Sequence, residues 1–365
     1  MKRLIVILLI IISVSLSVQA QNNWDLGTFE KPKENPIMGR DSSLIFYCPI
    51  KKDSARWAKA DVFNPAAIVK DGKVYLFTRC EDNPKAFLSG RTSRIGISVS
   101  DDGIHFKKFK EPVLYPQEDE FKEYDYPGGC EDPRVVETAD GQYIMAYTSW
   151  NNKTPRLSIA FSKDLFHWQK KGMAFKQAYS GKFLNMGTKS ASIITKLNDG
   201  RPVATKIKGK YWMYWGEAFV NLAWSKNGYD WYPLLDEKGN LKKIMLPRPG
   251  KFDSKLTECG PPALMTDKGI LLLYNGKNAT DSTAATDLPK GMYSVGEALF
   301  DLNNPEKIIE RTDNYVLRPT LPHEVTGQYK AGTTFGEGLV YFKKQWFLYY
   351  GTADSYVGVA VTKKK

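Results

Sequence analysis

The run Gly128-Gly129-Cys130-Glu131-Asp132-Pro133-Arg134 sets two adjacent carboxylates between a glycine pair and a proline. Glycine lets a backbone come close to a ligand, and proline fixes the entry to a strand, so an acid placed here is firmly held. A held carboxyl group can protonate a leaving group, which is the work of a general acid. By composition alone the commoner fate of Asp beside Gly and Pro is to cap a turn. Other polar groups open apolar segments elsewhere: Asn64 before Pro65, Lys189 before Ser190, Glu258 before Cys259-Gly260-Pro261, and Thr333 after Gly332. An amide, a lysine and carboxylates at such starts matter only if the fold brings the starts together.

A repeat indicates that it does. One phrase occurs three times, as Ser100-Asp101-Asp102-Gly103-Ile104-His105-Phe106, Ser162-Lys163-Asp164-Leu165-Phe166-His167-Trp168 and Ser225-Lys226-Asn227-Gly228-Tyr229-Asp230-Trp231, at steps of 62 and 63 residues. An alternating segment precedes each (95–99, 157–161, 221–224), so Ser-x-Asp/Asn reads as a turn and the aromatic residue as the start of the next strand. Upstream lies a second phrase, an apolar strand, a turn and an aromatic strand. It recurs five times, near residues 65–78, 133–149, 192–214, 262–274 and 338–350. No helical period of useful length interrupts it. Five units of about four strands predict an all-β, five-bladed β-propeller over 61–365, with 21–60 as an arm or a blade closure. The first strand of each blade lies nearest the central axis, so the polar starts converge there.

Gly129-Cys130-Glu131-Asp132-Pro133-Arg134, Phe63-Asn64-Pro65, Lys255 ahead of Gly260-Pro261-Pro262, and Tyr349-Tyr350-Gly351-Thr352-Ala353-Asp354 together resemble glycoside hydrolase family 130. The resemblance runs from about residue 60 to the C-terminus. It implies activity on β-mannosides, phosphorolytic or hydrolytic, on a five-bladed propeller. It also implies that Asp132 is the acid, acting through the sugar 3-hydroxyl, and that Asn64, Arg79, Lys255 and Asp354 hold the mannose. Lys189 and Asn275 complete the expected substrate-binding set.

Three departures from the phosphorylase pattern are informative. The strand similar to the family's arginine-bearing one reads Trp212-Met213-Tyr214-Trp215-Gly216-Glu217, the lysine segment reads Lys255-Leu256-Thr257-Glu258, and Asn275 stands in Tyr274-Asn275-Gly276 where the family has histidine. Phosphate binding calls for cations, typically bidentate arginine. Two glutamates suit activation of water instead, so the chain resembles the family's hydrolase branch. Glu217 as a strand-face carboxylate paired with lysine is the alternative. The expected activity is exported, inverting release of mannose from β-mannosides, most of all β-1,2-linked ones. The rivals are a β-mannoside phosphorylase, an arabinan-type propeller hydrolase and a non-catalytic sugar-binding propeller.

Composition sets the bounds. Of 365 residues 42% are hydrophobic and 25% charged, which fits a soluble globular chain. Lys2-Arg3 and the apolar run Leu4–Ile12, ending near Ala20, read as a secretory signal, too short to span a bilayer, and predict a periplasmic or secreted protein with no membrane anchor after cleavage. The net charge of +12 is scattered and accompanies no nucleic-acid motif, so no nucleic-acid partner is expected. Three histidines make a multi-histidine metal centre improbable, and no metal or cofactor is expected. His105 and His167 recur at one repeat position and read as structural. Cys48, Cys80, Cys130 and Cys259 allow three disulfide pairings in an oxidising compartment. Tyr124, Tyr126, Trp150, Trp212, Trp215 and Tyr293 are candidates for stacking on sugar faces.

Overall fold

A computed structural model describes residues 24–86, 90–327 and 329–363. The expected export signal, residues 1–20, lies outside them. Strands dominate, with one four-residue α-helix, Lys122–Asp125, and one 3-10 turn, Pro322–Glu324, among the described residues.

The strands group into antiparallel sheets that follow the repeat. The first sheet runs Val62–Lys70, Lys73–Glu81, Ser93–Ser100 and Lys107–Lys108. The second runs Gly129–Glu137, Tyr143–Trp150, Pro155–Ser162 and Trp168–Met173. The third is built on Ala191–Asn198, Lys210–Trp215, Val220–Ser225 and Trp231–Pro233. In the fourth, the split edge Leu256–Cys259 and Ala263–Met265 pairs with Ile270–Lys277, followed by Tyr293–Phe300 and Ile308–Arg311. The last comprises Phe335–Phe342, Gln345–Thr352, Tyr356–Thr362 and, from the other end of the chain, Phe29–Glu30.

Each hydrophobic cluster lies between two neighbouring sheets. Phe77 and Ile97 of the first meet Tyr143 and Tyr147 of the second. Ile144 and Ile159 meet Met213 and Trp231 of the third, and Tyr214 and Leu222 meet Leu272 and Ala298 of the fourth. Leu271 and Leu299 meet Leu348 and Tyr350 of the last. Val340 and Tyr349 return to Val74 and Leu76 of the first. Both faces of every sheet are therefore covered, which explains the long apolar runs in the middle strands. The strand Phe29–Glu30 registers Phe29 against Thr362 and Glu30 against Val361, and the hairpin Phe46–Cys48 with Asp53–Ala55 adds Phe46 and Cys48 to the same core.

The repeated phrase forms the expected turn. The amides of Gly103, Leu165 and Gly228 each donate to the serine hydroxyl three residues earlier, at 2.9 Å. All three residues have left-handed backbone, Leu165 at φ 79°, and the two glycines adopt it without a side-chain penalty. His105 and His167 each bond the aspartate of their own turn, Asp102 and Asp164, at 2.7 Å.

Candidate active site

At the inner edge, Asn64, Asp132 and Ser190 have left-handed backbone, at φ 49°, 47° and 54°. Asn64 and Asp132 stand where the register of their strands slips against the neighbour. Such a bulge re-aims a side chain that regular pleating would send into a sheet interface. Here Asn64 Nδ2 donates to Asp132 Oδ1 at 2.8 Å, joining the first and second sheets through their site residues. Gly351 makes room, since a β-carbon there would lie 1.9 Å from Asn64 Oδ1.

The cavity these residues open onto has a volume of about 90 Å³. Seven of the nine residues expected at the site line it: Asn64, Arg79, Asp132, Lys189, Glu217, Glu258 and Asp354. Arg79 holds three carboxylates, Glu81 at 2.7 Å, Glu131 at 2.8 Å and Asp132 at 3.2 Å. Lys189 Nζ lies 3.7 Å from Asp132 Oδ2. Burial would raise the Asp132 carboxyl, but Arg79, Lys189 and Arg134 hold it well below the usual range, so it is ionised. Burial also pushes up Glu131, Glu258 and Asp354, each to about 7 against the pull of nearby cations. Lys189 loses more from the same burial than an exposed lysine would, yet Asp132, Glu217 and Glu258 keep its pKa raised and the group charged.

Glu217 is not on the strand. It occupies the exposed corner after Lys210–Trp215, where Gly216 at φ 124° turns the chain. Cys259 N donates to Gly216 O at 3.1 Å and Thr257 N to Ala218 O at 3.3 Å, so the corner runs alongside the strand that carries Glu258. Ser190 Oγ donates to Glu258 Oε1. Arg134 underlies the whole arrangement, giving hydrogen bonds to the carbonyls of Asp132 at 3.0 Å, Cys259 at 3.1 Å and Gly260 at 3.3 Å. One guanidinium thus ties the backbone of Asp132 to the residues that follow Glu258, and it pairs with the fully buried Glu337 at 3.0 Å.

Several expectations need correction. Lys255 is solvent-exposed and absent from the cavity; its backbone amide donates to Lys277 O at 2.8 Å. Asn275 is fully buried and absent from it too, because its amide is spent on Gly336, donating to the carbonyl at 3.1 Å and accepting from the amide at 2.8 Å. It pins the fourth sheet to the last. Gly128 and Gly129 do not clear space for a ligand, since their β-carbons would collide with Trp150 and with the Ser93 backbone. The four cysteines are buried and unpaired. Of the six aromatic candidates only Tyr293 reaches the cavity, where Tyr329, Thr333 and Phe335 complete the wall. Tyr329 and Phe335 carried no sequence signal, and Thr333 appeared only as a strand start.

Comparison with known proteins finds relatives that match most of the chain. A solved Bacteroides thetaiotaomicron structure is 53% identical, superposes with a TM-score of 0.91 and covers 93% of this chain and 98% of its own. Another, described as showing that the family of mannoside phosphorylases contains glycoside hydrolases that target β-1,2 mannosidic linkages in Candida mannan, is 48% identical with a TM-score of 0.92, covering 94% and 96%. A 1,2-beta-oligomannan phosphorylase of a Thermoanaerobacter species is 32% identical over 86% of this chain and 94% of its own. The sequence profile described as beta-1,4-mannooligosaccharide phosphorylase matches residues 29–365. The chain belongs to glycoside hydrolase family 130.

Proposed function

We propose that this chain is an inverting hydrolase that removes mannose from β-mannosides, with the β-1,2 linkage preferred, on a five-bladed propeller exported through the signal at residues 1–20. The observation that carries the reading is the charge of the cavity. Asp132, Glu217, Glu258 and Asp354 line it against only two cations, Arg79 and Lys189. Both cations are already engaged, Arg79 by three carboxylates and Lys189 by Asp132. A phosphate dianion entering here meets repulsion of about 4 kcal/mol for each unit charge 4 Å away at an effective dielectric of ~20. Water meets none, and it needs the base that a carboxylate provides.

In the proposed reaction water attacks the anomeric carbon and gives its proton to the Glu217–Glu258 pair. The bond to the leaving sugar breaks as its oxygen takes a proton from the sugar 3-hydroxyl, which Asp132 replenishes. Asp132 is held ionised by Arg79, Lys189 and Arg134, whereas burial and the neighbouring Asp132 charge raise Glu131 to about 7 against the pull of Arg79. The two carboxyls titrate as a pair, and the acid role requires that Asp132 carry a proton once substrate is bound. Asn64, Arg79, Lys189 and Asp354 hold the sugar.

The names of the curated relatives favour a second reading, phosphorolysis. Proton NMR of the first turnovers of β-1,2-mannobiose in phosphate-free buffer tests the proposal. It requires α-mannose to appear first; initial β-mannose means a covalent intermediate and a different role for the glutamates.

A further inference from the structure

Lys31 stands directly after the N-terminal strand Phe29–Glu30, far along the sequence from the cavity residues, and its ammonium is fully used. It donates to Arg318 O at 2.7 Å, Thr320 Oγ1 at 3.2 Å and Glu324 Oε2 at 2.7 Å. All three acceptors belong to the connection between Ile308–Arg311 and Phe335–Phe342, which carries Tyr329 and Thr333 of the cavity wall. Glu324 is fully buried and organises that connection. Its Oε2 also accepts from the amides of Thr320 at 2.6 Å and Leu321 at 2.8 Å, and its Oε1 from Tyr350 Oη at 2.7 Å.

From Glu324 the bonding leads straight to the wall. Its carbonyl accepts from Thr333 N at 2.9 Å, Gly332 N donates to Tyr329 O at 3.1 Å, and Tyr293 N donates to Gly332 O at 3.0 Å. The same connection crosses the turn that bears Asp354 at close range. Gly327, at φ 72°, lies where a β-carbon would stand 2.6 Å from Ala353 O. A lysine whose three protons all go to one connection, itself bonded to two cavity residues, controls where those residues stand. Its removal leaves Glu324 buried with its charge uncompensated, a costly state that the connection relieves by moving.

We propose that Lys31 is a positioning residue for substrate binding: the ion pair Lys31–Glu324 makes closure of the ring by the N-terminal strand set the place of Tyr329 and Thr333 against the bound β-mannoside. The substrate named here rests on the functional reading above, whereas the clamp itself rests on geometry alone. Lys31→Met should raise KM for β-1,2-mannobiose about 5- to 20-fold while kcat stays within about twofold, the pattern of lost uniform binding. Lys31→Arg should recover most of the affinity. In a Tyr329→Ala background Lys31→Met should add less than about twofold, because both changes act on one wall. A lowered unfolding midpoint with unchanged KM, or effects that multiply in the double variant, overturns the proposal. Amide hydrogen exchange from Glu324 to Thr334 needs no substrate: faster exchange in Lys31→Met supports the clamp and unchanged exchange removes it. A wild-type protein inactive on β-mannosides, with that exchange faster in the variant, defeats the functional reading and leaves the clamp standing.

Discussion

Glu217 and Glu258 lie side by side because the corner carrying one is bonded on both sides to the strand carrying the other, Gly216 O to Cys259 N and Ala218 O to Thr257 N. Like charges set in register repel. Burial raises Glu258 most, and the Glu217 charge adds to it while Lys189 and Ser190 pull the other way, so the carboxyl settles at about 7. A base with that pKa is poised at neutral pH. Each single change, Glu217→Gln or Glu258→Gln, should lower kcat by ~10²–10⁴, the usual contribution of a positioned acid or base. Steady-state rates on β-1,2-mannobiose decide this, and two active variants would remove the pair from the chemistry.

The pH profile follows with a definite sign. Glu258 must be deprotonated to accept a proton, so kcat/KM should fall below an acidic limb near 7. Ser190 donates to its carboxylate and so stabilises the charged form. Ser190→Ala removes that donor, the pKa rises, and the limb should move to higher pH. A limb that stays in place assigns it to another group.

Asp132→Asn should cost at least ~10² in turnover of β-1,2-mannobiose and less on substrates whose leaving groups need no proton. The fold should survive, because Asn can keep the contact with Asn64 while losing charge. Equal losses on both substrate kinds would mean that Asp132 binds sugar without donating a proton.

Asn275→Ala separates a strut from a ligand contact. The variant leaves the buried Gly336 amide and carbonyl without their partner, which should lower stability by about 1–3 kcal/mol. KM should stay near the wild-type value. A large rise in KM at unchanged stability would return Asn275 to the site.

How far these features could be read from the sequence depended on whether the signal was local. The Ser-x-Asp/Asn turns are local, since hydroxyl, carboxylate and amide lie within a few residues, and they revealed the repeat. The repeat in turn located Asn64, Asp132, Lys189 and Glu258 at strand starts. Lys255 was expected at the site from the resemblance alone, yet three residues of extended chain separate it from Glu258 and put the two side chains on opposite faces. Asn275 was expected at the site because it stands where the resembled family has histidine, whereas its role depends on Gly336, 61 residues away. Tyr329 belongs to a connection with no period, placed only by tertiary contacts such as Lys31 with Glu324.

The most direct test incubates the protein with β-1,2-mannobiose, with and without inorganic phosphate, and identifies the products. Two carboxylates beside already engaged cations predict mannose alone, released at the same rate in both conditions. Mannose 1-phosphate, or a rate that rises with phosphate, would contradict hydrolysis and make the chain a phosphorylase.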